Sequence, residues 1–347
     1  MNESQLILSC GTGGVGKTTT SILLGIALAQ LGKRVHVLTI DPAKRLADAL
    51  GCDALTHSPT RIQLPCSTGM MEASMMDPSF MFTSMCEQSI DTGSLERLKG
   101  TAFYKRSAEQ VQGLLELMAV VRINELLCDE KYNVVIVDTP PSYNALQFLD
   151  APDRLISLFG APLMKWLLGN GNESKTSHLI RKRLSSFLGG EFIHELGDFF
   201  SGIRSVSEEM VHHAEMFKSK LTSPFTRINL TTTASNFSPN EMFKFVSSMI
   251  DKGLSLDHIV FNRCLLDLQI DDEHRSNLEP SMSRYFQRLD CEESNISGVL
   301  QHYVSASQSL SVSMLPETTT STLSDLIRLS ETIEIQKTRL VADKPAK

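Results

Sequence analysis

The chain has 347 residues, 41% of them hydrophobic and 21% charged, and a net charge of −7. That length holds one large α/β domain or two smaller ones with a full core. The acidic balance, with a pI near 5.8, argues against a nucleic-acid binder, which needs a basic face.

No apolar run approaches the ~18 residues of a membrane span. The N-terminus also lacks a basic segment followed by an uninterrupted apolar stretch and a small-residue cleavage site. A cytoplasmic protein is expected, with at most peripheral membrane association. The seven cysteines are scattered and form no C-x-x-C pair, which suits reduced thiols and offers no zinc site.

In chain order, Leu6-Ile7-Leu8 reads as a strand, and Gly11-Thr12-Gly13-Gly14-Val15-Gly16-Lys17-Thr18 follows it. A glycine-rich loop between a strand and a helix, ending in Lys-Thr, is a P-loop for a nucleoside triphosphate. Its glycines let backbone N–H groups of Gly13, Gly14, Val15, Gly16, Lys17, Thr18 and Thr19 face phosphate oxygens, and the next helix aims its positive end there. Lys17 would reach the β- and γ-phosphates of ATP, and the Thr18 hydroxyl would hold Mg²⁺.

Residues 19–31 are apolar almost all round and predict a buried helix ended by Gly32. Residues 35–40 form a near-continuous apolar strand, as expected when both faces of a parallel sheet are covered. It runs into Asp41-Pro42, and an acid at the carboxyl end of such a strand faces the ligand crevice of an α/β fold. Residues 61–76 read as one or two short strands rich in methionine, for which core filling outweighs a binding groove.

Residues 79–130 look helical, with Val111, Leu114, Leu115, Met118 and Val121 on one apolar face. Asn133-Val134-Val135-Ile136-Val137-Asp138 is a β-branched strand ending in an acid, the pattern of a carboxylate that orients a Mg²⁺ shell. Thr139-Pro140-Pro141 follows as a stiff turn, placed where a segment can sense the γ-phosphate.

From residue 145 to about 221 helical periodicity dominates and strand signals are scarce. Glu208, Glu209, His212 and His213 have a spacing that could place metal ligands on one helix face. With no further cysteine or histidine nearby, a solvated charged face is the favoured reading. Alternation then resumes with a strand at 226–233, a helix at about 239–252 started by Ser238-Pro239-Asn240-Glu241, and a strand at 258–261. Asn262 at its end is either a turn residue or an amide matched to an adenine edge. An acidic helix past 270, a strand at about 310–315, Pro316-Glu317 and a helix at 321–335 complete the chain, and residues 336–347 read as a flexible tail.

The pattern predicts an α/β fold: a doubly wound, mostly parallel sheet of the P-loop NTPase type. Residues 78–130 and 145–225 would form a helical subdomain inserted between sheet strands of a single domain.

Taken together, the loop from Gly11 to Thr20, the stretch Leu38-Thr39-Ile40-Asp41-Pro42 with the following residues to Leu50, and Val137-Asp138-Thr139-Pro140-Pro141 resemble the anion-transporting ATPase family. Phe148-Leu149-Asp150-Ala151-Pro152, Val260-Phe261-Asn262-Arg263 and Leu315-Pro316-Glu317 extend the likeness over nearly the whole chain. The family includes arsenite-pump ATPases, ATPases that target tail-anchored membrane proteins, and bacterial relatives, which this chain resembles most.

The resemblance implies ATP hydrolysis with Mg²⁺ held by Thr18 and Asp138, and catalysis by Lys17 and Asp41, the latter positioning water. Asn262 would contact adenine, with Arg263 and Pro316 beside it. It implies a dimer, either a homodimer or a heterodimer with a related ATPase, and a helical subdomain that in the targeting branch receives an apolar helix of a client. Many members carry a lysine after the first loop glycine that reaches the partner's phosphates; here that residue is Thr12. A chain lacking it could instead be a weakly hydrolysing subunit beside a lysine-bearing paralogue.

Overall fold

The computed structural model describes residues 4–40, 45–52, 55–65, 67–101, 104, 114–139, 148–161, 199, 202–233, 239–254, 256–265, 280–304, 311–318 and 322–333. The chain divides into two compact units. One comprises Met1–Met75, Glu130–Leu146 and Pro224–Lys347, and the other Met76–Asp129 and Gln147–Ser223.

The first unit is built on one eight-stranded sheet. Its strands are β1 (Gln5–Gly11), β2 (Arg34–Thr39), β3 (Thr60–Ile62), β4 (Met70–Met75), β5 (Val134–Asp138), β6 (Thr226–Thr232), β7 (Leu256–Cys264) and β8 (Ser311–Pro316), in the order β3-β4-β2-β5-β1-β6-β7-β8. Every pairing is parallel except that of the three-residue edge strand β3 with β4. β1, β2 and β5 are buried along almost their whole length, the pattern of strands covered on both faces.

The apolar helix read from residue 19 is α1 (Lys17–Gln30). Its Ile22, Leu23 and Ile26 pack on Ile7, Val37 and Ile136 of three neighbouring strands, with Leu326 of a C-terminal helix in the same cluster. Gly25 lies where a Cβ would come within 3.0 Å of Val37 and 3.2 Å of Met71, which lets helix and sheet approach closely. The same unit holds α2 (Arg45–Leu50).

One strand is longer than its apolar run. β7 extends over Asp257 and Asn262 because those polar residues have internal partners: the Asp257 carboxylate accepts from the Ile228 backbone N–H at 3.3 Å, beside an irregularity in the β6 pairing, and the Asn262 amide donates to the Val15 carbonyl.

The second unit, as described, is helical: α3 (Pro78–Ser89), α4 (Thr92–Gly100), α5 (Leu114–Cys128), α6 (Ala151–Gly160) and α7 (Arg204–Leu221). Asp77 and Asp91 cap α3 and α4 by accepting from the Phe80 and Ser94 N–H groups. Met81, Met85, Met118 and Met210 are buried in its core with Phe82, Leu98 and Val206, so these methionines fill the interior. Glu208 is an exposed partner of Arg204, and His212 is exposed. Glu209 and His213 depart from a solvated face: Glu209 accepts from Ser89 Oγ at 2.7 Å, and the Asn124 amide donates to the His213 carbonyl at 2.7 Å. Among the described residues no three His, Cys, Asp or Glu groups converge as metal ligands.

The chain closes in the first unit with α8 (Pro239–Asp251), α9 (Pro280–Val304) and α10 (Leu323–Ser330). Thr322 and Asp325 form a reciprocal capping box that starts α10. Ser238, Val111, the residues from 162 to 198 and the tail at 336–347 lie outside the described residues. No described helix is long and apolar enough to cross a membrane.

Away from the loop, a buried polar group braces β4. Glu72 accepts from Tyr132 Oη at 2.6 Å and from Lys131 Nζ at 2.6 Å and 2.8 Å. Burial alone would raise the Glu72 carboxyl, but the hydrogen bonds from Lys131 and Tyr132 outweigh it and hold the group below its ordinary value of 4.5. A depressed folded value stabilises the fold above the ordinary one, and that contribution fades as pH falls through it. Glu72→Gln is therefore expected to cost about 1–2 kcal/mol at neutral pH, with the gap from wild type closing in acid. Urea denaturation across pH checks this, and a gap independent of pH contradicts it.

Candidate active site

Along the face of the sheet that α1 covers, the apolar row Val37, Ile136 and Ile7 gives way, two residues further on, to a polar row that closes β2 with Thr39 and β5 with Asp138. Thr39, Asp138, Ser9, Asn229 and His258 stand in register across β2, β5, β1, β6 and β7. All five are buried. Polar groups at this depth need partners.

Two glycines of that loop are required by its geometry. Gly11 has φ 154°, and a Cβ there would lie 2.2 Å from the Thr231 carbonyl oxygen. Gly16, with φ 93°, opens α1 in the left-handed region, and a Cβ there would lie 2.2 Å from the Asn262 amide nitrogen. Gly13 and Gly14 are exposed. Val15 is buried.

The start of α1 differs from those of α3, α4 and α10, whose first amides are occupied by side-chain caps. It has no side-chain cap and no acidic residue in its first turn. Its first N–H groups and its positive dipole end are thus left for an anion. Lys17 begins the helix, is 7% exposed, and donates to the Thr12 carbonyl at 3.0 Å. A single cation among uncapped amides suits a triphosphate.

Thr18, 120 residues away in sequence, donates its hydroxyl to Asp138 Oδ2 at 2.7 Å, and Thr39 donates to the same oxygen at 3.3 Å. Asp138 is 1% exposed. A hydroxyl and a carboxylate side by side are hard oxygen donors of the kind that hold Mg²⁺. Just beyond, Thr139 donates its hydroxyl to the Ser9 carbonyl at 2.7 Å, so the chain leaving β5 starts from a fixed point. The buried hydroxyls of Ser9, Thr231 and Thr233 have no hydrogen-bond partner among the described residues, and all three lie at the carboxyl ends of β1 and β6.

On the far side of the loop, Asn262 is buried and its amide donates to the Val15 carbonyl at 2.8 Å. Arg263 is exposed with φ 56°, and Pro316 pairs with Cys264, whose carbonyl accepts from the Glu317 N–H at 2.8 Å.

The structure thus brings together Lys17, Thr18, Asp138 and the glycines on one side, and Asn262, Arg263 and Pro316 at the end of β7 and β8. Asp41, Pro140 and Pro141 lie outside the described residues. The neighbouring thiol supplies no nucleophile: burial pushes Cys10 up to about 12, against smaller opposing effects of Thr139 and Lys17. His258 is held neutral, burial pushing it down to about 4, and its Nε2 meets Ser313 Oγ at 2.9 Å.

Sequence reasoning missed Thr39 and the Asn262 attachment to the loop. Thr39 carried a faint signal, a polar residue near the end of an apolar run. The Asn262 bond carried none, because its acceptor is a backbone carbonyl.

Comparison with known proteins gives a match of residues 4–294 to the family model described as anion-transporting ATPase. Among curated relatives, an ATPase GET3 from Malassezia globosa is 26% identical over 255 residues, covering 74% of this chain and 71% of the relative. A second ATPase GET3, from Mycosarcoma maydis, is 33% identical over 147 residues, covering 42% of this chain and 41% of the relative. A protein provisionally named arsenical pump-driving ATPase 1, from Aquifex aeolicus, is 22% identical over 290 residues, covering 79% and 67%.

The two glycine positions separate strain from collision. Gly14 has φ 78° but open space around a Cβ, so Gly14→Ala is expected to cost about 1–2 kcal/mol. Gly11→Ala adds a backbone clash and is expected to cost about 3 kcal/mol or more. Urea unfolding of both variants checks the order, and equal losses contradict it.

Proposed function

The chain belongs to the anion-transporting ATPase family and is an ATPase, and from that premise we propose that it is a Mg²⁺-dependent dimeric switch driven by ATP binding and hydrolysis. The observation that carries the reading is the Thr18–Asp138 bond of 2.7 Å beside the uncapped start of α1. It joins hard oxygen donors to an anion site within one hydrogen bond.

The chemistry asked of the chain is positioning and charge stabilisation. Loop amides and the first N–H groups of α1 hold the phosphates, and Lys17 adds a positive charge where negative charge grows on the transferred group. Thr18 and Asp138 would hold Mg²⁺, which when bound supplies neutralisation of the β- and γ-phosphate oxygens. Asp41 orients the attacking water, a role that comes from the resemblance. Asn262, Arg263 and Pro316 meet the base end. The segment leaving the fixed Thr139 reports loss of the γ-phosphate.

A second reading is favoured by Thr12. Lys17 satisfies the Thr12 carbonyl within the chain, and residue 12 itself carries no charge to offer a partner. In this reading a homodimer hydrolyses slowly, and a related subunit bearing lysine at that position supplies the missing cation. Met81, Met85, Met118 and Met210 fill the helical unit's own core and give no support to a client there.

Asp41→Asn is expected to retain ATP binding and to lower steady-state hydrolysis by about 100-fold or more, the scale of losing a positioned base. Undiminished hydrolysis contradicts the role. Thr12→Lys separates the two readings: if the charge is the missing element, turnover per subunit rises by about tenfold or more, with a rate that grows with protein concentration. Brisk turnover by the wild-type homodimer, unimproved by Thr12→Lys, sinks the second reading.

A further inference from the structure

Near its carboxyl end, β7 holds one residue more than β8: Phe261 pairs with Met314, and Cys264 with Pro316. The extra residue forms a bulge, a device that re-aims a side chain. Within it, Arg263 adopts φ 56°, the one non-glycine residue with positive φ among the described residues. A left-handed non-glycine residue stores strain of about 1–2 kcal/mol, and the residue beside it here is Asn262.

The re-aimed side chain lands on the phosphate loop. Asn262 Nδ2 donates to the Val15 carbonyl at 2.8 Å, and it would lie 2.2 Å from a Cβ on Gly16. The amide therefore rests against the Val15–Gly16 peptide itself. In a trans peptide the carbonyl and the following N–H point in opposite directions, and no cis peptide occurs among the described residues. Holding the Val15 carbonyl on Asn262 thus turns the Gly16 N–H away from β7. This makes Gly16 necessary twice, for its left-handed φ and for the room its missing side chain leaves to the amide.

We propose that Asn262 is a positioning residue for the triphosphate: its amide fixes the Val15–Gly16 peptide so that the Gly16 N–H is presented to phosphate, independently of any base. The inference rests on the nucleotide-binding reading above and adds to it a link between the base end of the site and the phosphate loop. A base that draws the Asn262 amide toward itself alters the loop, and a triphosphate that settles the loop fixes the amide a base would meet.

The test uses inorganic tripolyphosphate, which has the phosphates and no base, beside ATP. Both are titrated with Mg²⁺ by calorimetry into the full chain, wild type and variant. Asn262→Ala is expected to weaken tripolyphosphate by about fivefold or more, the scale of one hydrogen bond, with binding stoichiometry at the wild-type value. Asn262→Asp keeps the size but opposes a carboxylate to the Val15 carbonyl, and is expected to weaken tripolyphosphate further. Unreduced stoichiometry distinguishes a misplaced loop from a misfolded fraction. If either variant binds tripolyphosphate as the wild type does while ATP weakens, Asn262 is a base contact only and the proposal is overturned. A wild-type chain that binds neither ligand overturns the ATPase reading and this inference with it.

Discussion

The bond between the Thr18 hydroxyl and the Asp138 carboxylate is the constraint on which the site depends. A carboxylate buried as deeply as Asp138 is tolerated only with donors around it. Thr18 from the first turn of α1 and Thr39 from β2 supply two. Those donors reach it because β5 runs between β1 and β2 in the sheet although it follows both in sequence. The strand order thus carries an acid from residue 138 to the foot of a loop at residues 11–17.

The same loop is held from the other side by strands later still. β6 meets it through the Thr231 backbone at Gly11, and β7 meets it through Asn262 at Val15. Strands that neighbour or nearly neighbour β1 on either side each contribute one anchor to a loop that has few side chains of its own. That explains why the loop is glycine-rich on the protein side as well as the ligand side: two of its glycines are places where another strand presses against the backbone. It also explains why α1 begins without a side-chain cap, since an acid there would compete for the amides that an anion needs.

Much of this was legible in the sequence because period and chemistry agreed. The glycine loop, the β-branched strand ending in Asp138 and the all-apolar α1 each combine a secondary-structure signal with a functional residue. What stayed hidden was pairing at long range. Nothing in the local pattern placed β5 beside β1, or joined Asn262 to a carbonyl 247 residues earlier. The four-residue spacing of Glu208, Glu209, His212 and His213 suggested a solvated face. Glu209 and His213 instead join α7 to α3 and α5, because such a spacing cannot tell which side of a helix a neighbour covers. Thr12 was legible too: the residue after the first loop glycine carries no charge.

On the proposed function, this loop, with Lys17 as its cation, is where the chain holds a nucleoside triphosphate. The most direct measurement is calorimetric titration of purified chain with ATP and Mg²⁺, alongside Lys17→Ala. Wild type is expected to bind about one ATP per chain saturably, and the variant to lose that binding at unchanged thermal stability. Equal binding by the two proteins would place the nucleotide elsewhere and rule out Lys17 as its cation.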